Sequence, residues 1–128
     1  SDLLREILNG NRISKWNGEK EADDVIFTAE GCSSNNGTKS TPALSVDLLG
    51  DWREEVILRT TDNQELRIFS TTIPTEHRLY TLMHDPQYRL AIAWQNVAYN
   101  QPPHPGFFLG AGMKPAPRPH ITLVVLKQ

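Results

Sequence analysis

Polar and apolar residues alternate along most of this chain with the two-residue period of strands, and turn residues punctuate the alternation at short intervals. Asp2 to Trp16 reads as a hairpin: LLREIL, then Asn9-Gly10-Asn11, then RISKW. Asn9 and Gly10 both suit the positive φ of a type I′ turn. A polar, acidic connection from Asn17 to Asp24 leads to a strand at VIFTA (Val25–Ala29). Beyond a polar stretch come ALSVDL (Ala43–Leu48), the turn Gly50–Trp52, REEVILRT (Arg53–Thr60), the turn Thr61–Gln64 and ELRIFSTT (Glu65–Thr72). Within Glu55–Thr60, Val56 and Leu58 alternate with Ile57 and Arg59, a pattern that suits a sheet covered on both faces.

Helical spacing is hard to find in the second half. Glu76–Met83, preceded by Pro74, reads as irregular or strand, and Tyr88–Gln95 as a strand with Tyr88, Leu90, Ile92 and Trp94 in alternation. Pro102, Pro103 and Pro105 then exclude regular structure. After Gly112, KPAPRP has extended polyproline character and ITLVV (Ile121–Val125) reads as a last strand. The expected division is a β body over residues 1–112 and a Pro-rich linker with a final strand over 113–128.

The interruption at Gly31–Pro42, GCSSNNGTKSTP, holds no large apolar side chain and carries one Lys. It is too polar for a core, and its glycines let backbone N–H groups come close to a ligand. We read it as one wall of a carbohydrate-binding cleft with Lys39 as its chemical group. The same composition also suits a surface loop that only connects two strands.

At 128 residues, the chain suggests one domain with a modest core. A formal net charge of -2 provides no overall basic field to attract nucleic acid or an anionic membrane. No apolar run approaches the ~20 residues that a membrane-spanning helix needs. Neither nucleic acid nor membrane is expected as a partner. Cys32 is the single cysteine, which excludes an intrachain disulfide and a zinc pattern. The opening SDLLREIL has neither the regions of a signal peptide nor an initiator Met, and reads as a processed or cut end.

The chain also resembles itself. Asp2-Leu-Leu-Arg-Glu6-Ile-Leu aligns with Asp51-Trp-Arg-Glu-Glu55-Val-Ile at an offset of 49 residues, each followed by a hairpin. That is close to the ~40 to 50 residues of a β-propeller blade of four short strands. The second copy, Asp47-Leu-Leu-Gly50-Asp51-Trp-Arg-Glu-Glu55, resembles the calcium-associated blade motif DxDGDGxxE at Asp47, Gly50, Asp51 and Glu55, with Leu49 and Trp52 where the motif has Asp and Gly. Calcium takes six to eight oxygens, so the missing carboxylate weakens the site. The same acids serve equally well to fix the turn by hydrogen bonding. The fold class expected is all-β, between two and three blades, which cannot close a ring and leaves open sheet edges.

Taken together, GCSSNNGTKSTP, LLGDWREEVILRTTDNQELRIFSTT, IPTEHRLYTLMHDPQYRLAIAWQNVAYNQPPHPGFFLG and the opening DLLREILNG closely resemble the C-terminal part of rhamnogalacturonan lyases of polysaccharide lyase family 11. The resemblance implies an eight-bladed β-propeller, secreted by bacteria, that binds calcium and cleaves the rhamnogalacturonan I backbone of pectin by β-elimination at galacturonic acid. It implies substrate contacts at Asn36, Gly37, Thr38 and Tyr99, and a catalytic part for Lys39, with calcium ligands sought at Asp47, Asp51 and Glu55. Lys39 suits a proton transfer where desolvation favours its neutral amine; its basic partner, an Arg, lies upstream of Ser1 in the family. The isolated chain is expected to be inactive without the preceding blades. Two other readings are a non-catalytic pectin-binding fragment and a structural fragment that self-associates through its open edges.

Other chemistry-bearing residues read as structural. Glu76, His77 and His84 lack the spacing of a helical metal pair. His104 is expected to buttress its proline loop, and Trp94 to sit in the core.

Overall fold

The computed structural model describes residues 3–97 and 101–124; Tyr99 and the end of the expected last strand, from Val125 onward, lie outside them. The described chain is dominated by antiparallel strands in two sheets, joined to one short helix.

The first sheet has three strands in sequential order: β1 (Ile7–Asn9), β2 (Arg12–Asn17) and β3 (Ala22–Thr28). Asn9 pairs with Arg12, so Gly10 and Asn11 form the turn, and of these only Gly10 has positive φ, at 65°. That corrects the expected type I′ centred on Asn9-Gly10: Gly at the first central position with an ordinary second residue is the type II′ arrangement. A bulge between Ile13↔Phe27 and Ser14↔Val25 leaves Ile26 without a paired residue. It breaks the alternation of VIFTA, and Val25, Ile26 and Phe27 are all exposed.

The second sheet is built on β6 (Glu55–Thr60). One edge of β6 pairs with β7 (Leu66–Phe69), and the other is shared by β5 (Leu44–Val46), opposite Glu55–Ile57, and β4 (Cys32–Ser33), opposite Arg59 and Thr60. The sheet is therefore three strands wide, with β4 and β5 laid end to end. The expected hairpin forms at Thr61–Glu65, where Asn63 takes φ 60°. Thr60 organises it: its hydroxyl donates to Asp62 at 2.5 Å and accepts from the backbone of Gln64 and Glu65.

The segment expected as a strand, Tyr88–Gln95, is helical: α1 spans Pro86–Trp94. Asp85 caps it, accepting a 2.8 Å hydrogen bond from the Tyr88 N–H, and Pro86 occupies the first turn, where its missing N–H is harmless. Tyr88, Ala91 and Gln95 are buried at helical spacing, while Leu90 and Trp94 are exposed, so the two-residue alternation was coincidental and Trp94 is not a core residue. Glu76–Met83 is irregular until a 3-10 turn at Leu82–His84, capped by Thr81. From Gly112 to Val124 there is no regular structure, and Leu123 and Val124 face solvent; the part of ITLVV that is described has no strand to pair with.

Two apolar clusters hold these parts together. Val46, Trp52, Leu82 and Tyr88 form the larger, which packs α1 and the 3-10 turn against β5. Ala29, Cys32 and Leu58 form the smaller, and Phe69 beside it meets Phe27 of the first sheet with ring centroids 5.2 Å apart. Large apolar side chains nevertheless remain on the surface of both sheets, among them Trp16, Val25, Ile26, Leu66 and Ile68.

Candidate functional site

The topology of β6 explains why Gly31–Pro42 projects. Because β4 and β5 occupy one edge end to end, the residues between them must leave the sheet and return to it, and they emerge as a loop. The loop is held by its own polar groups. Asn36 is the hub: its Oδ1 accepts from the Lys39 N–H at 2.7 Å and its Nδ2 donates to the Thr41 hydroxyl at 2.8 Å. The Asn35 N–H reaches the Thr41 carbonyl at 2.7 Å, and the Ser34 hydroxyl donates to the Asn36 carbonyl. The base of the loop is tied to the first sheet, where the Gly10 N–H donates to the Ser40 carbonyl at 3.0 Å.

This clamp turns Gly37, Thr38 and Lys39 outward, all three exposed, with Asn36 partly buried beneath them. A Cβ added at Gly37 would meet nothing within 4 Å, so the backbone there faces open space. Four sequence-predicted residues, Asn36, Gly37, Thr38 and Lys39, are thus brought to one loop tip. Tyr99 is outside the described residues.

Two residues that support the loop escape sequence reasoning: Gln95 reads as the end of a strand, and Asn96 as the start of the proline-rich segment. Asn35 Nδ2 donates to Asn96 Oδ1 at 3.4 Å, and Asn96 Nδ2 donates to the Ala43 carbonyl, so the residue after Gln95 grips both ends of the loop. Gln95 is buried and bonds both backbone groups of Ser45, at 2.6 and 2.7 Å, as a neighbouring strand would. A helix ending at Trp94 with two amides directly after it was the signal available.

The three acids proposed for calcium take different paths. Glu55, fully buried, accepts from the Leu48 and Leu49 N–H groups through Oε2 and from the Ser70 hydroxyl through Oε1. Asp51 is engaged by Arg53, through backbone and guanidinium, which holds its carboxyl below the usual range. Asp47 Oδ2 accepts from the Thr81 hydroxyl at 2.7 Å and the Leu82 N–H at 2.8 Å, while Asp47 Oδ1 is buried with no partner among the described residues. Gly50 and Trp52 both take positive φ, so Trp52 adopts the backbone of the motif's glycine while its indole fills the core. Among these three acids one carboxylate oxygen, Asp47 Oδ1, is left without a donor, too few for an ion that takes six to eight oxygens. Among the described residues no three His, Cys, Asp or Glu gather as a metal cage.

Instead the turn is locked by hydrogen bonds that converge on Tyr88. Its hydroxyl accepts from the Asp47 N–H at 2.9 Å and donates to Glu54 Oε1 at 2.7 Å. Burial pushes the Glu54 carboxyl above the usual carboxylate range, against the lowering effect of the Tyr88 hydroxyl, and Asp47 and Glu55 add to the rise. Burial and the Glu54 charge push the Tyr88 hydroxyl up in turn. His77 proves structural: its carbonyl accepts from Trp52 Nε1 and its ring meets the indole edge-on.

Comparison with known proteins agrees with this architecture. Residues 1–119 match the C-terminal domain of rhamnogalacturonan lyase family 11. The chain is similar to rhamnogalacturonan endolyase YesW of Bacillus subtilis (strain 168), 64% identical over 120 residues, covering 94% of this chain and 19% of that protein. It is similar too to rhamnogalacturonan exolyase YesX of the same organism, 55% identical over 130 residues, covering 95% of this chain and 21% of that protein. Among solved structures it superimposes on rhamnogalacturonan lyase YesW with a TM-score of 0.89 at 65% identity, over 93% of this chain and 20% of that one. A Bacillus licheniformis rhamnogalacturonan lyase gives 0.86 at 61% identity, over 89% and 20%. The chain spans about a fifth of the length of these relatives. It belongs to rhamnogalacturonan lyase family 11, whose C-terminal domain it matches.

Proposed function

We propose that this chain supplies one wall of the active-site cleft of a secreted rhamnogalacturonan lyase, with Lys39 as a catalytic residue and Asn36, Gly37, Thr38 and Tyr99 as substrate contacts. The observation that carries this reading is the loop tip itself: Asn36 clamps the Lys39 backbone at 2.7 Å while the Lys39 side chain stays exposed beside an open backbone at Gly37. The substrate class follows from the relatives, which are named for rhamnogalacturonan.

In the β-elimination proposed, a base removes the C5 proton of galacturonic acid, the electron pair forms the C4=C5 double bond, the C4–O4 bond breaks, and the departing O4 takes a proton. Positive charge at the uronate carboxylate makes the C5 proton more acidic. Lys39 serves one of the two proton transfers. The other groups come from residues beyond this chain, so the isolated chain is inactive. The rest of an eight-bladed propeller covers the apolar side chains left on both sheets and completes the ring to which this chain contributes. Calcium belongs to the proposal only as a ligand of those other blades, since the Asp47–Glu55 turn is already locked by hydrogen bonds.

The test is the rise in absorbance of unsaturated uronate on rhamnogalacturonan I, with the complete lyase that contains this domain. Lys39→Ala is expected to lower kcat by roughly 10²- to 10⁴-fold. Full activity in that variant removes Lys39 from the chemistry and favours the non-catalytic binding reading.

A further inference from the structure

A second concavity lies at the opposite end of α1 from the Lys39 loop. Asn96, just past the C-terminal end of the helix, grips that loop, whereas a groove of about 400 Å³ opens at the N-terminal end, where Pro86 begins it. Nine helical residues, roughly 13 Å of axis, separate the two ends. The groove brings together Tyr80, His84, Arg89, Phe107, Arg118 and His120, drawn from the segment before the helix, the helix, the proline loop after it and the Pro-rich tail.

Its chemistry is lopsided. Two guanidinium and two imidazole side chains line it, against the single carboxylate of Asp85. That carboxylate is occupied: its Oδ1 accepts from the Tyr88 N–H at 2.8 Å and from the Gly106 N–H at 2.9 Å. Arg89 is held in place through Nη1, which donates to the Met83 and His84 carbonyls at 2.8 and 3.2 Å; a guanidinium carries five N–H donors, so this anchoring leaves it able to meet an anion. Tyr80 is half exposed and stands edge-on to His84, with ring centroids 6.5 Å apart, while Phe107 is partly buried.

The exposed Tyr80 ring can offer an apolar face to the C–H groups of a sugar, and the Arg89 guanidinium, held by two backbone carbonyls, can offer its remaining N–H groups to a carboxylate. We propose that this groove is a subsite for a uronate residue of the pectic chain, separate from the cleft at Lys39. The inference rests on the reading that the enzyme handles a pectic polymer, and adds a second point of attachment for that polymer. It also gives the proline-rich tail a role: KPAPRP has no regular structure, yet it carries Arg118 to the groove wall.

The test uses the complete lyase carrying Lys39→Ala, so that the oligosaccharide is bound and not cut. Calorimetry with a rhamnogalacturonan oligosaccharide should resolve two binding events per chain. Adding Arg118→Ala should weaken one of them by roughly ten- to a hundredfold and leave the other in place, as loss of a hydrogen bond between charged groups requires. The same oligosaccharide with its carboxyls reduced to alcohols should lose that same event in the protein that keeps Arg118. A single event unaffected by Arg118→Ala overturns the proposal, as does equal binding of the reduced sugar at both. Failure here is separate from failure of the Lys39 reading, which is judged by turnover of the enzyme that keeps Lys39 and its Lys39→Ala variant.

Discussion

Tyr88→Phe removes one oxygen from the best-buried side chain of the larger core cluster and changes nothing in its shape. That hydroxyl is the partner of the Asp47 N–H, on a residue only 1% exposed, so the substitution leaves a buried donor with nothing to replace it. An unsatisfied buried donor costs about 1–3 kcal/mol. Glu54 Oε1 loses its 2.7 Å bond as well. The expected loss is therefore about 2 kcal/mol, equivalent to roughly 8 °C in thermal midpoint for a chain of this size. The assay is thermal unfolding followed by circular dichroism at neutral pH, with Glu54→Gln as the control, because it keeps a hydroxyl over the Asp47 N–H. A Tyr88→Phe midpoint within about 2 °C of the parent refutes the reasoning. So does a Glu54→Gln loss as large as that of Tyr88→Phe, which would place the energy at Glu54.

Two further outcomes follow from the same turn. Because burial raises the Glu54 carboxyl in the folded chain, the native state binds that proton more tightly than the unfolded state. Its favourable contribution is then complete below the ordinary value of 4.5 and is lost as pH rises through the raised one. The midpoint of Glu54→Gln should thus gain on that of the parent as pH rises from about 4 to 8; Asp24, Asp51 and Asp62, whose carboxyls are lowered, act in the opposite sense and are common to both proteins. A difference independent of pH rejects the assignment. Chelation is the other test: with the Asp47–Glu55 turn closed by hydrogen bonds, EDTA should leave the thermal midpoint of this chain unchanged, and a clear drop would show that the turn holds an ion after all.

Much of what matters was written locally. Gly10 and the Thr61–Gln64 segment announce their hairpins because residues that tolerate unusual backbone angles stand between strands of β-branched and apolar residues. Asn36–Lys39 stood out as a candidate site because a stretch without apolar side chains has no place in a core. Family membership was legible for a related reason, since long runs such as WQNVAYNQPPHPGF are too particular to arise from periodicity alone.

Only the tertiary structure settled questions whose answers depend on partners distant in sequence. A two-residue alternation at Tyr88–Trp94 cannot tell strand from helix, and the choice fell to a cap at Asp85 and to the place that Tyr88, Ala91 and Gln95 find against β5. The acids of the degenerate motif have the right types for a metal, but packing gives each of their oxygens except Asp47 Oδ1 a hydrogen-bond donor. Likewise the basic groove joins residues up to 40 positions apart, from Tyr80 to His120, and no local pattern brings them together. Sequence determined which segments turn, pair and stay polar; packing decided which donor meets which acceptor, because a hydrogen bond or an ion site is a property of groups that only the fold makes neighbours.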